Sequence, residues 1–400
     1  MAGNNIPCNQ LVAALALALD IEEEVKLYHA WRVAAGAQAA AAELHPDDRA
    51  QQALVFYAGL LHDVGAVGLS DHIVHLVSQP DYLAIPGVQE HPTIGSAILR
   101  TLPQADALAT AVADHHERLD GHGYPQGKVG EELSLSAQLL HVADLADIHF
   151  RLASPWDWQK ILKGLKKGAG KAFLPQAFEA FQAAMEQGLK EVWADSSAVE
   201  AWVRQLADRL PLPLPPSCSV SAVLEVFARI IDAKHAYTAG HSQRVANYAQ
   251  SIARAAGLGP SEVTAIYWSG LLHDLGKISV PRAILDKPGR LNQEELVAIR
   301  NHPIYTGELL REISGLKEIS EIASGHHERF DGQGYPQGLR ADGIPLGARV
   351  LALADAFDAM TSPRPYQQRR SPEEALKELQ RGSGTQFDPD LVPVATAALL

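Results

Sequence analysis

Cysteine is almost absent from this sequence, with only Cys8 and Cys218 in a chain of 400 residues. They lie far apart and form no Cys-x-x-Cys pair, which excludes a disulfide framework and predicts a cytoplasmic protein. Long apolar runs are also missing. Residues 11–19 are apolar, but they are too few to span a membrane, lack a basic flank and precede the acidic run 22–24. They predict a buried helix rather than a signal peptide or a membrane span.

Positive charge and aromatic side chains are scarce as well. The net charge is −13, and a protein that binds duplex DNA normally presents a basic face, so duplex nucleic acid is not an expected partner. A small anionic substrate is still compatible, because metal ions can supply positive charge locally. Aromatic residues make up 6% of the chain, whereas the strong helix formers Ala and Leu are frequent. With no convincing run of alternating strand residues, this composition predicts an all-α fold.

The sequence repeats itself once at domain scale. Five motifs of the first half recur in the second, the first after 212 residues and the other four after 211. The motifs occupy residues 29–34, 59–65, 91–92, 115–127 and 143–144, and their echoes occupy 241–246, 270–276, 302–303, 326–338 and 354–355. A register held this well predicts duplication of one domain rather than a solenoid of short repeats.

The repeat suggests where the domains begin and end. We expect a first domain over residues 1–210, a proline-rich linker over 211–217 and a second domain over 218–400. Residues 182–210 have no counterpart in the second half. Within and just before them, Phe181, Met185, Leu189 and Trp193 recur every four residues, which predicts one amphipathic helix and makes it a candidate for packing between the domains.

Histidine and aspartate dominate the repeated motifs, and together they form a ligand set typical of Fe, Mn, Zn, Ni or Co. No single one of these residues is specific, but the whole set occurs twice in register. Its size predicts two ions, with Asp274, beside His273, as the bridge. The second half offers His241, His273, Asp274, His302, His326, His327 and Asp355. The first half offers the set His29, His62, Asp63, His91, His115, His116 and Asp144, which predicts a second metal centre.

These motifs resemble those of the HD-GYP subgroup of the HD phosphohydrolase superfamily. The resemblance covers residues 217–400 and rests on His241-Ser-x-Arg-Val, His273-Asp-Leu-Gly-Lys277, His302, His326-His327-Glu-x-x-Asp-Gly-x-Gly-Tyr-Pro336, Asp355-Ala-Phe-Asp-Ala-Met-Thr361 and Gly384-Thr-Gln-Phe-Asp-Pro389. It implies two tandem helical bundles, each with a metal centre in its core. It also implies hydrolysis of cyclic di-GMP, or of cyclic GMP-AMP, to the linear dinucleotide and onward to mononucleotide.

The resemblance also assigns roles. One ion would be held by His241, His273, Asp274 and Asp355, and the other by Asp274, His302, His326 and His327. Fe or Mn is the leading expectation, and Ni, Co and Zn remain open. Asp274 and Lys277 would be catalytic through a hydroxide that bridges the metals, with Lys277 and Arg364 on the substrate.

Two departures from the family pattern shape these expectations. Tyr237 stands where some members carry a glutamate that supports a third metal, so two ions are predicted. Gln367 stands where a second substrate-binding basic residue is common, and Arg369 or Arg370 could replace it. The loop over residues 331–338, which contains Gly-Tyr-Pro, is rich in glycine and proline and is predicted to lie at the mouth of the site.

The first half departs further and leaves several functions open. The lysine position is Ala66, and the segment from Asp147 to Ala153 lacks the Thr-Ser-Pro-Arg pattern. This half could be a regulatory or dimerising domain with a vestigial metal site, a ligand sensor, or a phosphomonoesterase that removes the 5′-phosphate of the linear product. For the whole protein, the alternative is a non-catalytic signalling role, in which the Gly-Tyr-Pro loops contact a diguanylate cyclase. A homodimer is also compatible with the sequence.

Overall fold

The computed structural model describes residues 6–22, 25–77, 79–152, 157–234, 240–362 and 369–400. The chain divides into two compact units, called here the first unit, Pro7–Ser219, and the second unit, which contains Val220–Leu400. Both are built almost entirely of helices, so the predicted all-α fold is confirmed. The described strands are the short antiparallel pair β1, Ile21–Glu22, and β2, Val25–Lys26. Within the described ranges, no helix is both long and apolar enough to cross a membrane.

The first unit contains eleven described helices. They are α1 Cys8–Leu19, α2 His29–Leu44, α3 Arg49–Leu61, α4 Ile73–Leu76, α5 His91–Leu99, α6 Asp106–Ala113, α7 Leu135–Leu152, α8 Trp158–Lys166, α9 Pro175–Ala184, α10 Lys190–Ala194 and α11 Ser196–Arg209. Helix α1 is buried along most of its length, as the apolar run predicted. Short 3₁₀ turns at Val64–Gly68, Tyr82–Ala84 and Gly130–Glu132 connect the helices.

The second unit contains ten described helices. They are α12 Val220–Ala233, α13 His241–Ala255, α14 Pro260–Leu272, α15 Arg282–Leu285, α16 Gln293–Arg300, α17 His302–Arg311, α18 Lys317–Ser324, α19 Leu346–Thr361, α20 Pro372–Arg381 and α21 Leu391–Ala398. The 3₁₀ turns are Leu275–Ser279 and Ala341–Gly343. Helices α13, α14, α17, α18 and α19 therefore repeat α2, α3, α5, α6 and α7 of the first unit.

Two glycines at equivalent positions bring the central helices of each unit together. A Cβ atom at Gly59 would lie 2.6 Å from the Cα of Ala34, and one at Gly270 would lie 2.6 Å from the Cα of Ala246. Because no side chain fits at these distances, glycine permits the close approach of α2 to α3 and of α13 to α14. These crossings fix the positions of the histidines at the helix ends.

The segment after α9 differs from its prediction. Phe181, Met185, Leu189 and Trp193 are all buried, but they do not lie on one continuous helix. Gly188 adopts φ 121°, within the irregular stretch Met185–Leu189 that separates α9 from α10. Trp193 and Phe181 instead pack against Gly36 of α2, inside the first unit. The four-residue spacing correctly identified buried side chains, while the glycine broke the helix that the spacing implied.

Candidate metal centres

Helix ends place most of the predicted ligands of the second unit. Helices α13 and α17 begin at His241 and His302, while His273 directly follows the end of α14 and His326 lies two residues after the end of α18. Asp355 lies within α19. All seven predicted residues come together, and three overlapping groups have ligand atoms within 4.8 Å of one another. The groups are His241, His273 and Asp355; His273, Asp274 and His326; and His302, His326 and His327.

Main-chain carbonyls orient three of the imidazoles. In each case Nδ1 donates to the carbonyl of the residue three positions earlier, which leaves Nε2 as an unprotonated acceptor. The pairs are His273 with Gly270 at 2.8 Å, His302 with Ile299 at 2.6 Å and His326 with Ala323 at 2.6 Å. The Nε2 atoms of His302 and His326 lie 3.3 Å apart. Because neither carries a proton for the other, this arrangement fits a cation that both can bind.

Asp274 faces both groups of histidines. Its Oδ1 lies 3.3 Å from His302 Nε2, and its Oδ2 lies 3.5 Å from His273 Nε2 and 3.7 Å from His241 Nε2. Within the described part of the chain, Oδ1 receives no well-formed hydrogen bond although it is buried, and the same is true of His273 Nε2. Burial alone would raise the pKa of Asp274, but His273, Lys277 and His302 hold it well below its usual value. An ionised carboxylate with a buried unsatisfied oxygen fits a metal bridge.

His241 is held by a carboxylate that the sequence analysis did not single out. Its Nδ1 donates to Asp358 Oδ2 at 2.7 Å, and Arg244 Nε donates to Asp358 Oδ1 at 2.6 Å. This leaves His241 Nε2 facing Asp355 Oδ1 at 3.4 Å. Carboxylates in this position fix the tautomer and raise the basicity of a ligating histidine. The available signal was the spacing, since Asp358 lies one helical turn after Asp355.

The Gly-Tyr-Pro loop packs on the last ligand of the set. The ring of Tyr335 lies 4.8 Å from that of His327, and the loop is fastened because Glu328 accepts the backbone N–H groups of Gln337 at 2.7 Å and Leu339 at 2.9 Å. The Tyr335–Pro336 peptide bond is cis. Glu328 is 4% exposed, and it is another contributor that the motif alone did not reveal.

A cavity of about 940 Å³ opens onto this centre. Its lining includes predicted metal ligands, loop residues and the basic side chains Lys277, Lys287, Arg300, Arg329 and Arg381. Lys277 Nζ lies 2.5 Å from Asp274 Oδ2. Arg370 contacts Met360 at 3.6 Å and Glu378 at 3.1 Å, both of which line the cavity. Arg364, Gln367 and Tyr237 lie outside the described residues.

The first unit assembles an equivalent centre from all seven of its predicted residues. They form two groups, His29, His62 and Asp144, and Asp63, His91, His115 and His116. Asp63 again faces both sides, with Oδ2 3.2 Å from His62 Nε2 and Oδ1 3.2 Å from His91 Nε2. Asp63 Oδ1 is buried without a well-formed hydrogen bond from the described residues. The pKa of Asp63 is held well below its usual value, because His62, His29 and His91 outweigh the effect of burial.

The sequence pattern that defines the HD domain matches the chain twice, at residues 13–177 and 225–391. The chain belongs to the HD domain family. Each unit therefore contains one HD domain, and its histidine and aspartate clusters could hold the metal ions on which HD phosphohydrolases depend.

Known HD domain proteins are similar to the whole chain or to part of it. The 3′3′-cGAMP-specific phosphodiesterase 3 of Vibrio cholerae serotype O1 is 31% identical over 313 residues, which cover 78% of this chain and 67% of the relative. A cyclic di-GMP phosphodiesterase response regulator of Xanthomonas campestris is 39% identical over 171 residues, 42% of this chain and 45% of the relative. The crystal structure of a cyclic GMP-AMP specific phosphodiesterase of Vibrio cholerae is similar with a TM-score of 0.65 and 25% identity, and covers 99% of this chain and 98% of that one. The resemblance to HD-GYP phosphodiesterases is confirmed.

The two HD domains have equivalent predicted ligands but differ in the residues next to them. Lys277 is replaced by Ala66, which is 7% exposed and packs in an apolar cluster with Leu69 and Ile73. In the first unit, Asp147 binds His29 Nδ1 at 2.7 Å, as Asp358 binds His241. Asp147 also accepts from Arg32 and, at 2.7 Å, from Arg151 of the same helix. The position of Arg151 corresponds to Ser362 in the second unit, so the first unit turns a basic side chain inward there.

Proposed function

We propose that the second unit hydrolyses a cyclic dinucleotide at a two-metal centre. The observation that supports this most directly is the convergence of seven ligand residues, with Asp274 facing both groups, at the wall of a cavity large enough for a dinucleotide. Relatives named as phosphodiesterases of cyclic GMP-AMP and of cyclic di-GMP support the same class of substrate. Those matched over most of the chain are named for cyclic GMP-AMP, which favours it, while cyclic di-GMP stays a candidate.

The geometry supports the predicted division of ligands. His241, His273, Asp274 and Asp355 would hold one ion, and Asp274, His302, His326 and His327 would hold the other. When bound, a pair of divalent ions supplies a water of lowered pKa and neutralises the charge that develops on phosphorus. Fe and Mn remain the preferred ions, and Ni, Co and Zn suit the same ligands.

Residues of the chain would prepare this chemistry. Asp274 stays ionised because its pKa is held low, so it can remain a bridge across the physiological pH range. Burial lowers the pKa of His327 to about 3, which keeps its imidazole neutral and able to bind a metal. Lys277 would hold a phosphate oxygen from its place beside Asp274. Arg364 remains a predicted substrate ligand.

A turnover experiment tests the proposal. Purified protein loaded with Mn²⁺ or Fe²⁺ is incubated with cyclic GMP-AMP and, separately, with cyclic di-GMP, and the products are separated by chromatography. We expect a linear dinucleotide from at least one of them, with loss of product after chelation of the metal. Turnover of neither substrate by the metal-loaded chain would contradict the proposal. It would favour the alternative, a signalling protein that acts through contact of its Gly-Tyr-Pro loops with a diguanylate cyclase.

We further propose that the first unit is a phosphomonoesterase acting on the linear product. The complete ligand set, with Asp63 between two histidine groups, supports a working metal site, whereas the loss of the lysine at Ala66 supports a different substrate. The test replaces His62 and Asp63 together and measures phosphate release from pApG or pGpG. Unchanged release would exclude this activity and leave a regulatory or ligand-sensing role.

Several expectations about the whole chain remain predictions. The linker over residues 211–217, a cytoplasmic location, a homodimer and a contact with diguanylate cyclase rest on the sequence analysis alone. They can be tested by limited proteolysis, fractionation, light scattering and pull-down of purified partners.

A further inference from the structure

One face of helix α19 forms part of the wall of the second unit's cavity, and three of its side chains are small. Ala352, Ala356 and Ala359 all line the cavity. Their spacing of four and three residues places them on one side of the helix, the same side as Asp355. The methyl groups therefore leave room directly beside a predicted metal ligand.

The equivalent face of helix α7 in the first unit carries larger side chains throughout. With the same offset of 211 residues, Ala352, Ala356 and Ala359 correspond to His141, Leu145 and Ile148. His141 is 5% exposed, and the other two are half-buried. Each of the three changes adds several heavy atoms on the side of the helix that faces the metal centre.

His141 shows where the added volume goes. Its ring lies 6.4 Å from the ring of His116 and 5.9 Å from the ring of Phe173. The counterparts of those two residues are His327 and, through the matching bridges Ala169–Phe173 and Ser383–Phe387, Phe387. Both line the cavity of the second unit. The imidazole of His141 therefore fills, between the same two neighbours, space that is open in the second unit. Its Nδ1 lies 2.8 Å from the carbonyl oxygen of His115, which holds the ring in place.

The first unit also has fewer basic side chains at the positions that line the cavity of the second unit. Lys277, Lys287 and Arg300 line the cavity of the second unit, and their counterparts are Ala66, Leu76 and Gln89. Arg329 keeps a basic counterpart in Arg118, and Arg381 keeps one in Lys167 when the segments are aligned on Phe173 and Phe387. The first unit has therefore lost both space and basic side chains around a centre whose ligands are complete.

We propose that the alanine face of α19 admits the cyclic dinucleotide, and that the larger face of α7 restricts the first unit to phosphate monoesters. A cyclic dinucleotide carries a nucleoside on both sides of the phosphorus that is attacked, whereas a terminal phosphate carries a substituent on one side only. A cavity narrowed by larger side chains can still admit a terminal phosphate, but it excludes a cyclic dinucleotide. This inference rests on the proposed function, for which it identifies the residues that determine specificity.

The first test narrows the second unit. The full-length triple variant A352H/A356L/A359I, with Asp63→Asn added to silence the first unit, is loaded with Mn²⁺ and assayed with a cyclic dinucleotide and with bis(p-nitrophenyl) phosphate. We expect kcat/KM for the dinucleotide to fall by about 100-fold, because a misplaced substrate can lose that much. Hydrolysis of the small diester should fall by only several-fold, because its substituents are smaller than nucleosides, and the metal content should change little. Full retention of dinucleotide turnover would overturn the proposal.

Matched controls separate size from general damage. Ala255→Leu adds the same side-chain volume as Ala356→Leu, but at an exposed position of α13, about 21 Å along the helix from His241. It should not affect dinucleotide turnover. If the triple variant does not fold, the series Ala356→Val and Ala356→Leu decides, since dinucleotide turnover should fall as the side chain grows. Equal turnover along the series would overturn the proposal. Absence of dinucleotide turnover in the unmodified chain would instead contradict the proposed function itself.

The second test widens the first unit. In the Asp274→Asn background, the first unit should hydrolyse p-nitrophenyl phosphate in preference to bis(p-nitrophenyl) phosphate. The variants His141→Ala and Leu145→Ala should shift that preference toward the diester by several-fold. An unchanged ratio, or a first unit that already prefers the diester, would overturn the part of the proposal that concerns α7.

Discussion

The two units of this chain carry the same set of predicted ligands and differ mainly in the side chains that line the space beside it. In both, a central aspartate, Asp63 or Asp274, faces two groups of histidines, and a tyrosine of the Gly-Tyr-Pro loop packs on the last histidine. The lysine beside the aspartate, two further basic positions of the lining and a face of small residues exist only in the second unit. The comparison suggests that the equivalent residues serve metal binding, whereas the residues that differ serve recognition of the cyclic dinucleotide.

The largest expected difference between the units comes from removing the central carboxylate. Asp274→Asn should reduce cyclic dinucleotide turnover on the order of 1,000-fold, because both ions lose a shared ligand. Asp63→Asn should leave that turnover within about twofold while reducing phosphate release from the linear product. Product analysis by chromatography and metal content per chain measure both effects. Equal losses of dinucleotide turnover in the two variants would contradict the assignment of this reaction to the second unit.

Replacing Lys277 should reduce dinucleotide turnover less than replacing Asp274, and it should still distinguish the two units. We expect Lys277→Ala to lower kcat/KM for the cyclic dinucleotide by about 10- to 100-fold, because a charged hydrogen bond to phosphate is lost. Lys317→Ala, at an exposed lysine at the start of α18, is the control. The reverse change, Ala66→Lys, should not create a second diesterase. It should lower the free energy of unfolding instead, because it buries a charge in an apolar cluster.

Asp358 and Asp147 orient the predicted ligands His241 and His29, so their replacement tests how much this support contributes to metal binding. Asp358→Asn and Asp147→Asn should each weaken metal binding in their own unit by about 10- to 100-fold. The stability loss should be greater for Asp147→Asn, because Asp147 also accepts from Arg32 and Arg151, whereas Asp358 accepts from Arg244 and Ser362 among the described residues. Metal titration and urea denaturation give the two quantities. A larger stability loss in Asp358→Asn would contradict this ranking.

The smallest effect is a difference in acid sensitivity. Burial lowers the pKa of His141 from its ordinary value of 6.5 to about 4, and its counterpart Ala352 cannot titrate. Between these values the unfolded chain binds a proton that the folded unit does not, so stability is present above pH 6.5 and falls as the pH drops toward 4. In metal-free protein, His141→Gln should recover about 2 kcal/mol of the stability lost between pH 7 and pH 5. Chemical denaturation at both pH values measures this, and an unchanged pH slope would exclude the mechanism.

Much of the site could be predicted from the sequence, because the repeat fixes which histidines and aspartates belong together. The all-α fold and the gathering of fourteen candidate ligands into two centres followed from residue type and register. The support of His241 by Asp358 was missed, because it depends on how α19 is rotated against α13. The break at Gly188 was missed because burial continued at the expected spacing on both sides of it. The proposed role of Ala352 could not be predicted, because it depends on the open space beside the methyl group, which only the structure shows.

The orientation of the ligating histidines has a consequence for how such a protein can diverge. His62, His91 and His115 of the first unit, like His273, His302 and His326 of the second, direct Nδ1 to a carbonyl oxygen three residues back in their own turn. That partner is main chain, so no substitution of a neighbouring side chain removes it. Substitutions in the cavity wall can therefore change which ester fits without changing how these imidazoles are oriented.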